Sequence, residues 1–200
     1  FTIPKHRLSV NSPTGQPHQC PNIVIIINES LSVLSPAIQT QCLPFTTASI
    51  KKNNWLDFSN CYTPSTLTMA TLPAILTGIH PLNAAKGFYT APLLWDWGKA
   101  LGMDTSLLSS QLYSYGNLDQ FCFSTSLDQH ITRENFEFAP TVNDLGIDDL
   151  ISCQMLKPIL ENTTKPFLSL IQTNNLHYPF LQKSVMLDKN PKFKITPKTT

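Results

Sequence analysis

The most apolar stretch of the chain is Asn22-Ile23-Val24-Ile25-Ile26-Ile27-Asn28, an unbroken β-branched run between two asparagines. A run without polar alternation predicts a strand buried on both faces, as in a parallel sheet. Ser35-Pro36 reads as a helix opening, and Phe58–Tyr62 as a short strand after a polar turn. Apolar side chains at Leu72, Ile75 and Leu76, stopped by Gly78, predict a short helix over 69–77. Pro73 is tolerated in a first turn, so that helix is expected to begin near Thr71. Pro92–Leu101 then reads as a helix closed by Gly102, and Met103–Ser109 as a strand. Ile147, Leu150, Ile151, Met155 and Ile159 stand near helical spacing and predict one helix over Gly146–Leu160. Pro166–Thr173 reads as a second buried strand. Strands alternating with helices predict an α/β fold, a mainly parallel sheet with flanking helices.

The flanks differ in character. Residues 1–21 hold Pro4, Pro13, Gly15, Pro17 and Pro21 and read as an extended lead-in or linker. The domain is expected over 22–188, and 189–200, rich in Lys and Pro, as a loose tail. A chain that opens at Phe1 reads as a piece of a longer polypeptide.

Composition narrows the function classes. The 200 residues are 42% hydrophobic, enough for a real core, but only 14% charged, against about 25% in typical soluble domains. Ser, Thr, Asn and Gln must therefore wet much of the surface. A net charge of +1 argues against nucleic acid as a main partner, because neutralising phosphates needs a basic face. The run Ile23–Ile27 is far short of the ~18 apolar residues of a membrane span, and the N-terminus lacks signal-peptide order. No two of the five cysteines form a C-x-x-C pair, which disfavours a zinc ribbon or a thioredoxin motif. Their spacing leaves disulfides and buried thiols equally open.

Three segments carry candidate chemistry. Glu29 leaves the end of the first strand, where open parallel sheets collect their ligands, and its carboxylate can reach a metal there; a surface or capping Glu is the plainer alternative. Thr68 precedes a helix start, where backbone N–H groups and the helix dipole favour an anion. A threonine hydroxyl becomes a useful nucleophile toward a phosphate ester only when a base or a metal activates it. Taken alone it reads equally as an N-cap. His177 follows the Pro166–Thr173 strand at the same sheet edge, or simply packs on Tyr178. The chain has no Gly-x-Ser-x-Gly elbow, which argues against a serine hydrolase.

Together these blocks resemble the alkaline phosphatase superfamily, in particular its sulfatase-like branch that includes the phosphoethanolamine transferases. That branch has a hydrophobic strand running into Gly-Glu-Ser, here Asn28-Glu29-Ser30. Its nucleophile motif Thr-x-x-(Ser/Thr)-x-Pro is matched by Thr68-Met69-Ala70-Thr71-Leu72-Pro73. Its Gly-x-Asp-Asp-like turn is matched by Gly146-Ile147-Asp148-Asp149, and its later blocks by Lys165-Pro166-Phe167 and His177-Tyr178-Pro179. The order and spacing agree over residues 22–181.

The resemblance implies an alkaline-phosphatase-like fold and a metal-dependent phosphoryl-group transferase. Zn2+ or another divalent metal would be held by Glu29 and Thr68. Thr68 would also be the nucleophile, with Thr66 as a rival two residues earlier. His177, Asn28 and Thr71 would contact substrate. It implies a phospholipid donor, a sugar or lipid acceptor, and a catalytic domain outside the cytoplasm (periplasmic), anchored to a membrane by a segment not in this chain. Sulfatases proper use Cys or Ser in (Cys/Ser)-x-Pro-x-Arg, a pattern absent at Thr68, so sulfate-ester hydrolysis is a secondary expectation. Relatives complete the metal site with an Asp-His pair late in the domain. The nearest approach here is Asp128-Gln129-His130, far too early. The domain is therefore expected to be incomplete at its C-terminal end, either part of an active enzyme or a non-catalytic remnant.

Overall fold

In a computed structural model of the protein, residues 7–14, 20–32, 36–52, 55–56, 58, 60–82 and 85–178 are described. The β-branched run forms β1 (Ile23–Ile27), followed by α1 (Pro36–Cys42), α2 (Pro44–Lys51), α3 (Thr68–Thr77), α4 (Ala85–Thr90) and α5 (Leu94–Ala100). Next come β2 (Asp104–Ser109), α6 (Leu118–Cys122), β3 (Gln129–Ile131), β4 (Thr141–Asn143) and β5 (Gly146–Ile147). The described chain closes with α7 (Asp149–Cys153), α8 (Leu156–Glu161) and β6 (Phe167–Gln172). Four strands make one sheet in the order β1-β6-β2-β3, and every pairing in it is parallel. β4 and β5 form a separate antiparallel ribbon.

The core lies where the helices cover this sheet. Leu107 and Leu170 from the central strands pack with Leu72 and Leu76 of α3, Trp95 of α5 and Phe121 of α6, all buried. The Trp95 indole N–H, fully enclosed, donates to the Cys122 carbonyl at 2.8 Å, so burying the ring leaves no polar atom unpaired. Ser106 and Ser169 sit side by side on β2 and β6, and their hydroxyls bond each other at 2.9 Å. That pairing lets two polar residues occupy a buried sheet.

Several expectations change. β1 is a strand as its β-branching dictates, but it is not buried on both faces. Among the described residues it pairs only with β6, and Val24 and Ile26 are 44% and 60% exposed while Ile23, Ile25 and Ile27 pack on the core. An apolar run specifies a strand; what covers each face depends on the neighbours. The described part of Phe58–Tyr62 forms no strand, because no partner strand lies beside it, and Phe58 and Tyr62 are exposed. The helix anticipated near Thr71 begins at Thr68 and holds Pro73 at its sixth position. The turn before the proline is secured from outside: Leu67 O accepts from Ala70 N and Thr71 N, and Thr71 Oγ1 donates to Ser65 O at 2.8 Å.

The single helix expected over Gly146–Leu160 is divided. Gly146 and Ile147 pair with β4, and Asp148 caps α7 by accepting from Leu150 N. Pro158 lies in the first turn of α8, where its missing N–H costs nothing but could not continue the preceding helix. The described part of the lead-in forms no helix or strand, and residues 7 and 8 dock on the domain. Arg7 donates to the carbonyls of Phe88, Ala91 and Phe121 at 2.8–3.0 Å, its guanidinium lies 4.5 Å from the Phe121 ring centre, and Leu8 N donates to Thr90 O. The expected loose tail and the boundary at 188 lie outside the described residues. Cys20, Cys61, Cys122 and Cys153 are free thiols, and burial raises the Cys122 pKa.

Candidate active site

The parallel register brings three carboxyl-terminal strand ends together. Gln172 at the end of β6 lies opposite Ile27 of β1 and Ser109 of β2. Segments leaving those strands therefore share one rim. Asn28-Glu29-Ser30 turns sharply after β1: Leu31 N donates to Asn28 O, and Ser30 takes a left-handed φ of 60°. A non-glycine residue in that region is uncommon and mildly strained. The turn sends the Glu29 side chain toward the first turn of α3. There Thr68 Oγ1 donates to Glu29 Oε1 at 2.8 Å, across 39 residues of sequence.

A second polar layer lies beneath this pair. Gln172 Nε2 donates to Glu29 Oε2 and to Gln111 Oε1, each at 3.0 Å, and Gln172 Oε1 accepts from the Tyr113 hydroxyl at 2.7 Å. Gln172, Gln111 and Tyr113 are buried. Burial, the largest influence on the Tyr113 phenol, raises its pKa well above 10 and keeps it a donor. None of these residues stood out in the sequence. Gln172 is one more polar residue at a strand end, and only strand register reveals that it faces Glu29.

The other sequence candidates fall around this centre. Asn28 is exposed at the tip of the turn, and Thr66 is exposed in the loop before α3. The Thr71 hydroxyl is engaged with Ser65 O, anchoring that loop. His177 is half-buried in the loop after β6; its Nδ1 contacts Tyr178 O at 2.8 Å. A carbonyl only accepts, so Nδ1 is the donor in that contact. Among the described residues no hydrogen bond links His177 to Glu29 or Thr68. The Gly-x-Asp-Asp block holds this loop in place: Asp149 accepts from Asn174 N and Asn175 N at 2.6 and 2.9 Å, and Asp148 accepts from Asn175 Nδ2 at 3.1 Å. Asp128 belongs to the other end of the sheet, where it accepts from Thr105 N and pairs with Lys99.

The donor set can be tested against a divalent cation. Oxygens 2.8 Å apart can both lie ~2 Å from one ion, and zinc accepts carboxylate oxygen. The pair fits two positions of a tetrahedral site. Among the described residues no group of three His, Cys, Asp or Glu side chains comes together that could hold a metal.

Comparison with known proteins agrees with this architecture. A sequence model described as Sulfatase matches residues 21–199. No curated protein matches the sequence. Among solved structures, a protein in the alkaline phosphatase superfamily from Vibrio parahaemolyticus is similar with a TM-score of 0.62 at 20% identity, over 90% of this chain and 47% of that one. The C-terminal periplasmic domain of EptC from Escherichia coli, in complex with Zn, is similar with a TM-score of 0.63 at 19% identity, over 89% of this chain and 49% of that one. The periplasmic domain of the phosphoethanolamine transferase EptC from Campylobacter jejuni gives 0.58 at 15% identity, over 81% and 47%. These likenesses show an alkaline-phosphatase-like fold, of which this chain spans about half the neighbours' length.

Proposed function

The chain belongs to the sulfatase family, and we propose that it forms the N-terminal part of the catalytic domain of a metal-dependent phosphoryl-group transferase of the phosphoethanolamine type. The observation that carries this reading is the Thr68–Glu29 contact at the carboxyl edge of a parallel sheet and the start of α3. Glu29 and Thr68 would hold a divalent cation, Zn2+ in the first instance, with further ligands from outside the described residues. When bound, the ion would acidify the Thr68 hydroxyl and offset negative charge on the phosphoryl oxygens.

The chain's own residues then have distinct tasks. Thr68 Oγ1 attacks the phosphorus of a phospholipid headgroup, and the bond from phosphorus to the lipid alcohol breaks. An acceptor hydroxyl on a sugar or lipid next displaces Thr68 and regenerates it. The N-terminal turn of α3 favours the anionic group beside Thr68. His177, Asn28 and Thr71 border the substrate. Such a domain would act outside the cytoplasm, held at a membrane by a segment outside this chain. Among the described residues no helix is long and apolar enough to cross a membrane. A sulfatase-type hydrolase is less well supported, because Thr68 stands without the Pro and Arg that formylglycine formation uses.

The test is Thr68→Ala in the full-length protein. With a phosphoethanolamine-bearing lipid donor, the wild type should carry a covalent phosphoryl adduct on the peptide containing Thr68, and the variant none. An adduct of unchanged mass and yield in the variant removes Thr68 from the role.

A further inference from the structure

We propose that Gln172 is a positioning residue that fixes the rotation of the Glu29 carboxylate, so that one oxygen faces Thr68 and the other is occupied. The orientation of the Gln172 amide follows from its surroundings. Its oxygen accepts from Tyr113 at 2.7 Å, and its nitrogen is placed between two oxygens, Glu29 Oε2 and Gln111 Oε1. The reversed amide would set oxygen against both of those oxygens and the NH2 against the Tyr113 donor, so the bonding pattern permits one arrangement. Both amide hydrogens and the carbonyl are used, and the side chain is 1% exposed, so it cannot turn without stranding a buried polar group.

The consequence reaches Glu29. With Oε2 held by the amide and Oε1 by Thr68 Oγ1, the carboxylate is fixed in its plane and presents a single oxygen to the reacting centre. Resting on the functional reading above, this makes Glu29 a one-oxygen ligand to the cation it shares with Thr68. Buried groups that orient a ligand in this way typically change metal affinity 10–100-fold when removed.

Gln172→Met keeps the volume of the side chain and deletes its donor and acceptor. Two measurements on the full-length protein separate the claims. In the metal-free crystal structure of the variant, the Glu29 carboxylate should rotate and its contact with Thr68 should be lost; a contact unchanged from the wild type overturns the inference whatever the metal does. In chelator competition, Gln172→Met should weaken Zn2+ binding about 10–100-fold, and this loss should vanish when Glu29→Gln is also present. A loss that persists in the Glu29→Gln background marks a general structural defect and overturns the inference. Wild-type protein that takes up no zinc removes the functional reading, while the crystal structure still judges Gln172. If Gln172→Met does not fold, Tyr113→Phe replaces it, leaves the amide oxygen only the longer bond from Ser109 Oγ at 3.5 Å, and should weaken zinc binding by a few-fold; unchanged binding by a folded Tyr113→Phe overturns the inference.

Discussion

Gly146→Ala should be far more damaging than its single methyl group suggests. A Cβ built at Gly146 lies 2.5 Å from the Ser110 carbonyl oxygen and also runs into Asn174 Nδ2. The Asn174 amide is a side-chain end that no hydrogen bond among the described residues holds, but the Ser110 carbonyl cannot withdraw alone: it accepts from Ile147 N at 3.0 Å while Ser110 N donates to Gln172 O. The methyl must push β5 away from the end of β2. Overpacking of that kind costs about 1–3 kcal/mol, and losing the Ile147–Ser110 bond adds about 1 kcal/mol. The sum, about 2–4 kcal/mol, is a large share of the ~5–15 kcal/mol that stabilises a typical domain. Urea titration followed by the fluorescence of buried Trp95 should show the midpoint falling with the slope unchanged. Gly102→Ala is the internal comparison. Its φ is +73° and nothing lies within 4 Å of the added Cβ, so only backbone strain of about 1–2 kcal/mol applies. A Gly146→Ala protein within about 0.5 kcal/mol of wild type, or no worse than Gly102→Ala, refutes the close-approach argument.

Two further outcomes test the periphery. Partial burial pushes the Asp128 carboxyl upward, but hydrogen bonds from Lys99 and Thr105 outweigh it and hold the pKa below its ordinary value. Such a group stabilises the fold above its unfolded pKa near ~3.9, and the contribution is lost as pH falls through the folded value. Asp128→Asn should therefore melt below wild type at neutral pH, with the gap closing in acid; a gap that stays constant under acid conditions contradicts this. Arg7→Ala removes three bonds to carbonyls and the contact with Phe121. The Leu8 amide, bonded to Thr90 O, should then exchange with solvent much faster, and an unchanged rate would mean the lead-in is held by something else.

The elements that could be read from sequence are those encoded by neighbouring residues. β-branched runs make β1, and glycines stop α3 and α5, because these effects act over a turn or a strand; the helical spacing around Pro158 conceals the break that it imposes before α8. Glu29 and Thr68 were visible as candidates because each follows a local signal, a strand end and a helix start. Their meeting was not readable from either signal. Nor was the exposure of Val24 and Ile26, the short ribbon in place of a helix at Gly146, or the amide of Gln172 behind Glu29. The Thr68–Glu29 bond joins residues 39 apart and the Gln172–Glu29 bond residues 143 apart. Contacts of that span arise from parallel register and packing of the whole sheet. A strand's composition does not state its neighbours, and it is the neighbours that decide which polar groups share a rim.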